Sequence, residues 1–159
     1  MNKEAIKAFS LRVTQASQSE LTVILYEMIL TEIKEAREAF AKCDIAGFDK
    51  ELKLAQKYIT ELQAALNYSY AISYDLLSLY LYVNKRIIQA IIRRIPDSLD
   101  SAESVLNKLL VGFEGVSKSD KSGPVMRNTQ QLYAGLTYGR GYLNETYVDP
   151  SNKSRGFIA

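Results

Sequence analysis

The chain has 159 residues, of which 47% are apolar and 24% are charged, and its net charge is only +2. This length suits one globular domain with a sizeable core, and so small a charge gives no electrostatic reason to expect a nucleic-acid partner. The chain contains no histidine, which removes the commonest general base and the commonest metal ligand. We therefore expect a protein that is not an enzyme and that carries no cofactor or metal.

The compartment predicted from the sequence is the cytoplasm. The single cysteine, Cys43, cannot form an internal disulfide, and such cysteine usage is typical of a reducing compartment. The first residues lack the apolar core of a signal peptide. The longest unbroken apolar run, Leu79–Val83, is far shorter than the ~20 residues of a membrane span. We expect no membrane insertion.

A short apolar arm precedes the first strong helix signal. Ser17 and Glu20 have the spacing of a capping box, which predicts a helix from Gln18 to about Lys42. The apolar seam of this helix comprises Thr22, Tyr26, Ile29, Ile33, Ala36, Phe40 and Cys43. Its acidic residues, which we expect on a solvated face, are Glu27, Glu32, Glu35 and Glu38.

A turn at residues 44–47 leads to a second predicted helix, from about Phe48 to Asn67. Its seam repeats at alternating steps of three and four residues and comprises Phe48, Leu52, Ala55, Ile59, Leu62 and Leu66. A repeat near 3.5 residues favours packing in an antiparallel bundle. A third helix then runs from Ile72 to about Arg94.

The third helix carries two apolar stripes. The first comprises Ile72, Leu76, Leu79, Val83, Ile87 and Ala90, and the second comprises Leu77, Leu81, Ile88, Ile91 and Ile95. A helix that is apolar on nearly all sides must be covered on more than one side. Either the chain covers both stripes itself, or a partner covers the second.

Pro96 ends the third helix, and Asp97 or Ser98 is expected to cap a fourth that ends near Val116. Residues 1–116 are thus predicted to form an all-α, antiparallel up-down four-helix bundle with an N-terminal arm. Residues 117–159 are predicted to be a polar linker and a C-terminal extension that packs on the bundle, with a candidate fifth helix from Pro124.

Tyrosine is unusually frequent, with eleven tyrosines and no tryptophan. Five of them are close in sequence, namely Tyr68, Tyr70, Tyr74, Tyr80 and Tyr82. One interpretation is that they line one end of the bundle with their hydroxyls in water. The other is a recognition surface, because tyrosine provides a large contact area at low entropic cost.

Four sequence blocks occur in an order and spacing that resemble a known family. They are Ser19–Glu27, Leu54–Leu62, Leu79–Val83 and Gln89–Ala90. Together they resemble the flagellin-specific export chaperones of the FliS family, over about residues 9–116. The resemblance implies a four-helix bundle that binds the disordered C-terminal segment of flagellin in an apolar groove. It also implies that binding prevents premature polymerisation and holds flagellin for the flagellar export apparatus.

For such a groove, the second stripe of the third helix is the leading candidate surface. The candidate partner-binding residues are Leu54, Tyr58, Leu77, Leu81 and Ile88, and the candidate lid residues are Phe9 and Val13. Residues 124–145 are a further candidate cover of the groove. The alternative is a self-associating structural bundle whose second stripe forms a homodimer interface. For the chaperone we expect a monomer or a weak dimer.

Overall fold

The computed structural model describes residues 3–126 of the chain, with side chains from residue 6 onward. This part of the chain contains five helices, which are α1 (Lys3–Gln15), α2 (Gln18–Ala41), α3 (Ile45–Ala64), α4 (Ile72–Arg93) and α5 (Leu99–Ser119). The all-α prediction is confirmed there. None of these helices has the combination of length and hydropathy that crossing a membrane requires. From residue 127 onward, the chain lies outside the described residues, and this part includes most of the candidate fifth helix.

The first residues of α2 are held by the predicted capping box. The Glu20 amide donates to Ser17 Oγ (3.3 Å), and the Ser17 amide donates to Glu20 Oε2 (2.8 Å). These two bonds satisfy backbone donors that a helix N-terminus leaves free. At the other end, Cys43 adopts a left-handed conformation (φ 59°) that stops the helix. The prediction that Cys43 is buried in the seam is wrong, because it lies beyond the last turn and is exposed.

The start of α3 differs from the prediction. Residues 45–47 were expected in a turn but form the first helical turn, because the Asp44 side chain caps it by accepting the Gly47 amide (2.8 Å). A Cβ on Gly47 would lie 2.3 Å from Asp44 Oδ2. Gly47 is therefore tolerated inside the helix because its missing side chain leaves room for the cap.

The four longer helices surround one core, and α2 makes the most extensive contacts. It packs against α3 and α5, whereas α4 packs less extensively against the same two helices. Hence α2 and α4 occupy opposite corners. Arg37, near the end of α2, forms ion pairs with Asp100 (2.6 Å) and Glu103 (3.2 Å) at the start of α5. Ser19, at the start of α2, contacts Asp120 just after α5. These two helices therefore run in opposite directions.

The face that α4 turns to the core is rotated from the predicted seam. Tyr80 is buried and its hydroxyl hydrogen-bonds that of Tyr26 on α2 (2.5 Å). Because Tyr80 takes the inward position, Leu79 lies about 100° to its side. Leu79 and Ile72 were assigned to the seam and are exposed instead. The buried residues of α4 are Ser73, Tyr80, Val83, Ile87 and Ala90.

The last described helix is longer than predicted. It continues to Ser119, so the expected linker begins three residues later than residue 117. Ser98 stands at the N-cap position, but its hydroxyl donates to the Arg86 carbonyl on α4 (2.8 Å) and caps nothing. After α5 the chain returns to the start of α2, where the Val125 amide donates to the Ala16 carbonyl (3.1 Å).

Candidate functional site

The second stripe of α4 is present as an exposed apolar surface. Leu77, Leu81 and Ile88, which we call the α4 stripe, are spaced so that they share one flank of the helix. Leu77 is half-buried, while Leu81 is 53% and Ile88 38% exposed. Two further exposed apolar side chains, Tyr74 and Ile92, lie toward the ends of the same flank. The structure thus brings three of the predicted partner-binding residues together.

The α4 stripe lies beside the contact between α3 and α4. Gln56 Nε2 donates to Asn84 Oδ1 (3.0 Å), and this bond sets the register between the two helices. Asn84 lies three residues after Leu81 and four before Ile88, so it is adjacent to both on the helix surface. We call the surface along this contact, with the α4 stripe on one side, the α3–α4 groove.

Leu54 and Tyr58 lie on a different surface. Each is two residues from Gln56, which places it about 200° around α3 from the side that faces α4. Burial raises the pKa of Tyr58, and the carboxylates of Glu32 and Glu51 raise it further. Tyr58 is therefore close to the contact between α2 and α3. The structure does not bring these two predicted residues together with the α4 stripe.

The N-terminal arm is a helix that packs on α2. Its predicted lid residues, Phe9 and Val13, are both half-buried. Arg12 lies between them and forms an ion pair with Glu27 of α2. The cavity beside α1 is lined by Arg12, Gln15, Ala16, Glu20, Val23, Ile24 and Ser117. Since α2 and α4 occupy opposite corners of the bundle, α1 covers part of α2 and lies away from the α4 stripe.

Glu32 was expected on a solvated face and is fully buried. Burial raises its pKa to about 7, and a hydrogen bond to Glu51 of α3 raises it as well. The oxygen atoms of Glu32, Glu35 and Glu51 can approach within 4.8 Å of one another. Carboxylates this close do not all ionise readily, so Glu32 keeps its proton below about pH 7 and donates a hydrogen bond to Glu51. Arg37, on the same helix, forms its ion pairs with Asp100 and Glu103 of α5.

Among the described tyrosines, two pair in the core and others are exposed at one end of the bundle. Tyr26 and Tyr80 pair in the core, and the ring of Tyr26 also lies edge-on to Phe113 at 5.4 Å. Burial raises the pKa of both hydroxyls, so the pair stays neutral. Tyr68 and Tyr74 are exposed, with their ring centroids 5.6 Å apart, beside the α3–α4 turn.

A cavity of about 460 Å³ opens at the same end of the bundle. Its apolar lining comes from α3 and the turn after it, α4 and α5, and includes Leu62, Leu66, Ile72, Leu76, Phe113 and Val116. Sequence reasoning missed this cavity, although the displacement of Ile72 from the core face produces part of its wall. The apolar surface available to a partner is therefore larger than the α4 stripe alone.

These features define a class of protein. Exposed apolar side chains at helical spacing, on a rigid bundle, suit the binding of an amphipathic helix in a groove. The chain has no histidine, and the groups with shifted pKa values among residues 6–126 include the neutral tyrosine pair and the Glu32–Glu51 pair, both within the bundle. The class is accordingly a helical bundle with an exposed apolar surface.

Comparison with known proteins identifies the family. The model of the family described as flagellar protein FliS matches residues 1–120, and the chain belongs to this family. A curated relative, the flagellar secretion chaperone FliS of Bacillus subtilis (strain 168), is 28% identical over 109 residues. That alignment covers 69% of this chain and 82% of the relative. The family resemblance predicted from the four sequence blocks is confirmed.

Proposed function

We propose that this protein is a non-enzymatic flagellar secretion chaperone that binds the disordered C-terminal segment of flagellin as an amphipathic helix. The supporting observation is the exposed α4 stripe beside the α3–α4 groove, in a chain of the FliS family. Bound in this way, flagellin is kept from polymerising in the cytoplasm and remains available to the flagellar export apparatus.

The physical requirements of such a chaperone agree with this surface. A disordered segment that folds on binding loses roughly 2–5 kcal/mol to ordering, so the receptor must present apolar area that is already in place. Full burial of one leucine or isoleucine contributes about 1.5–3 kcal/mol. Covering Leu81 and Ile88, together with the exposed Tyr74 and Ile92, is enough to offset that ordering cost.

The test is binding of a flagellin C-terminal peptide to variants of the full chain. We expect L81D to weaken binding at least ~10-fold, because it removes apolar contact and places a charge in the groove. V111D is the matched control, since Val111 is even more exposed (69%) and lies on α5. Circular dichroism and thermal unfolding check that both variants fold. Equal affinity of folded L81D, folded L81D/I88D and the native chain would remove the α4 stripe from the site.

Leu54 and Tyr58 provide a second contact in this proposal. They lie on another flank of α3, so a client that touches both surfaces must cross α3. L54D is expected to weaken binding less than L81D, because a flagellin segment seated in the α3–α4 groove keeps its main contact. A larger loss for L54D than for L81D would move the principal site to the α2–α3 side.

Self-association through the α4 stripe is the competing function. It predicts a tight dimer of the isolated protein that L81D dissociates. We expect instead a monomer or weak dimer by analytical sedimentation over a wide concentration range. A dimer that persists at nanomolar concentration and is lost in L81D would favour the structural role.

A further inference from the structure

Three lysines border the α3–α4 groove without a carboxylate partner. Lys53 and Lys57 are exposed on α3, and Lys85 is exposed on α4. Ion pairs elsewhere among residues 6–126 involve other cations, and no described carboxylate pairs with these three. Asp49, one turn before Lys53, is half-buried, and Glu61, one turn after Lys57, is exposed, so the three lysines outnumber the carboxylates beside them on α3. The rim of the groove therefore carries a net positive charge that is available to a partner.

The register between the helices places a lysine on each side of the apolar stripe. Lys53 lies one turn before Gln56, whose side chain bonds Asn84. Because α3 leads directly into α4 through residues 65–71 and the helices contact again here, they run in opposite directions. Lys53 is thus level with Ile88, across the groove.

Lys57 lies one turn after Lys53 and continues the rim on α3. Lys85 occupies the other side. It follows Leu81 by four residues and precedes Ile88 by three, so it lies beside both at the outer edge of the stripe. Around Leu81 and Ile88, the stripe therefore has a basic residue on each side.

We propose that the α3–α4 groove selects an amphipathic helix whose apolar face is bordered on both sides by aspartate or glutamate. This inference rests on the proposed function and adds the chemical class of the client helix. The apolar stripe accepts the buried face of the helix, and the flanking lysines favour carboxylates in the adjacent positions. Helices with basic margins are disfavoured by repulsion from the same lysines.

The experiment compares two synthetic helical peptides that share one apolar face. One carries glutamate and the other lysine at the positions that border this face, and binding to the full chain is measured by calorimetry at low and high salt. We expect the glutamate peptide to bind about 3- to 10-fold more tightly at low salt, since exposed ion pairs contribute modestly. High salt should reduce the difference, because it screens exposed charges.

Charge reversal tests the assignment of the lysines. In K53E/K57E/K85E the preference should invert, so that the lysine peptide binds more tightly. The matched control is K34E/K108E/K118E, which makes the same change in net charge at exposed lysines of α2 and α5 and should retain the native preference. L81D should abolish binding of both peptides.

The outcomes separate this inference from the proposed function. Suppose that the flagellin C-terminal peptide binds the native chain and that L81D prevents this binding. If neither salt nor K53E/K57E/K85E then alters the preference between the two synthetic peptides, charge selection is wrong and the chaperone proposal stands. An inverted preference in the control triple variant would also overturn the assignment, because net charge alone would then explain it. Failure of the native chain to bind the flagellin peptide contradicts the proposed function.

Discussion

At the scale of single residues, Glu32 links the stability of the bundle to pH. Its pKa in the folded chain is about 7, against an ordinary value of 4.5, because burial and the hydrogen bond to Glu51 disfavour its charged form. The folded chain therefore binds more protons than the unfolded chain between these values. The contribution of Glu32 to the free energy of unfolding is therefore fully present below about pH 4.5, and it is lost as the pH rises through about 7.

E32Q tests this linkage, because glutamine imitates the protonated carboxyl and can still donate to Glu51. We expect the free energy of unfolding of the native chain to fall by roughly 1–3 kcal/mol between pH 5 and pH 8, and E32Q to lose most of that dependence. Urea unfolding at a series of pH values measures it. E38Q, at an exposed position of the same helix, is the control, and equal slopes in all three proteins would contradict the assignment.

The positions that sequence reasoning misplaced are those whose surroundings come from another helix. Glu32 belongs to a run of acidic residues that predicts a solvated face, and only Glu51, on α3, gives it a buried partner. Tyr80 was separated from the core seam because periodicity alone favoured Leu79. The deciding contact is the hydroxyl of Tyr26, which is 54 residues away in the sequence. Neither partner can be identified from local spacing.

At the scale of helices, the sequence correctly predicted a boundary where residues close to it in the chain determine it. The capping box of Ser17 and Glu20 fixed the start of α2, and the two stripes of α4 correctly indicated more apolar surface than the core can cover. Periodicity could not show how α4 is rotated, nor that Leu54 and Leu81 would lie on different flanks. Those facts depend on the packing of α3 against its two neighbours.

The helix α1 provides a test of the lid interpretation at this scale. In the lid proposal Phe9 and Val13 shield part of α2, so deletion of residues 1–15 should leave the α2–α5 bundle folded and uncover the area near Val23 and Ile24. Because α1 lies away from the α4 stripe, the lid interpretation requires the flagellin C-terminal peptide to contact this part of α2 as well, and it then predicts binding to the shortened chain that is about 3- to 10-fold tighter, or ~1 kcal/mol. Calorimetry measures the affinity.

A substitution separates displacement from simple loss of the helix. E27R should break the ion pair with Arg12 without shortening the chain, and should shift affinity in the same direction but by less. Unchanged or weaker binding by the deletion variant, with its helical content preserved, would show that α1 is a structural part of the bundle.

At the scale of the whole molecule, the junction between α1 and α2 also anchors the chain that follows α5. Asp120 accepts the Ser122 amide (2.9 Å) and contacts Ser19, and Val125 bonds Ala16. Hydrogen bonds from the Ser122 hydroxyl, and secondly from the Ser19 hydroxyl, lower the pKa of Asp120. This carboxylate is therefore charged at neutral pH. Residues 120–126 are thus attached to the bundle by these bonds.

The proposal that the C-terminal extension covers the α3–α4 groove must be tested with a truncation that keeps these bonds. A chain that ends at Met126 keeps the bonds of Asp120 and Val125, whereas one that ends at Ser117 loses them together with the last residues of α5. If the extension occupies the groove, the first truncation should bind the flagellin peptide at least ~3-fold more tightly, since the self-contact no longer competes. Thermal unfolding should show little change for this truncation and a lower midpoint for the shorter one. Unchanged or weaker binding by the Met126 truncation, at native stability, would mean that the extension does not compete with flagellin.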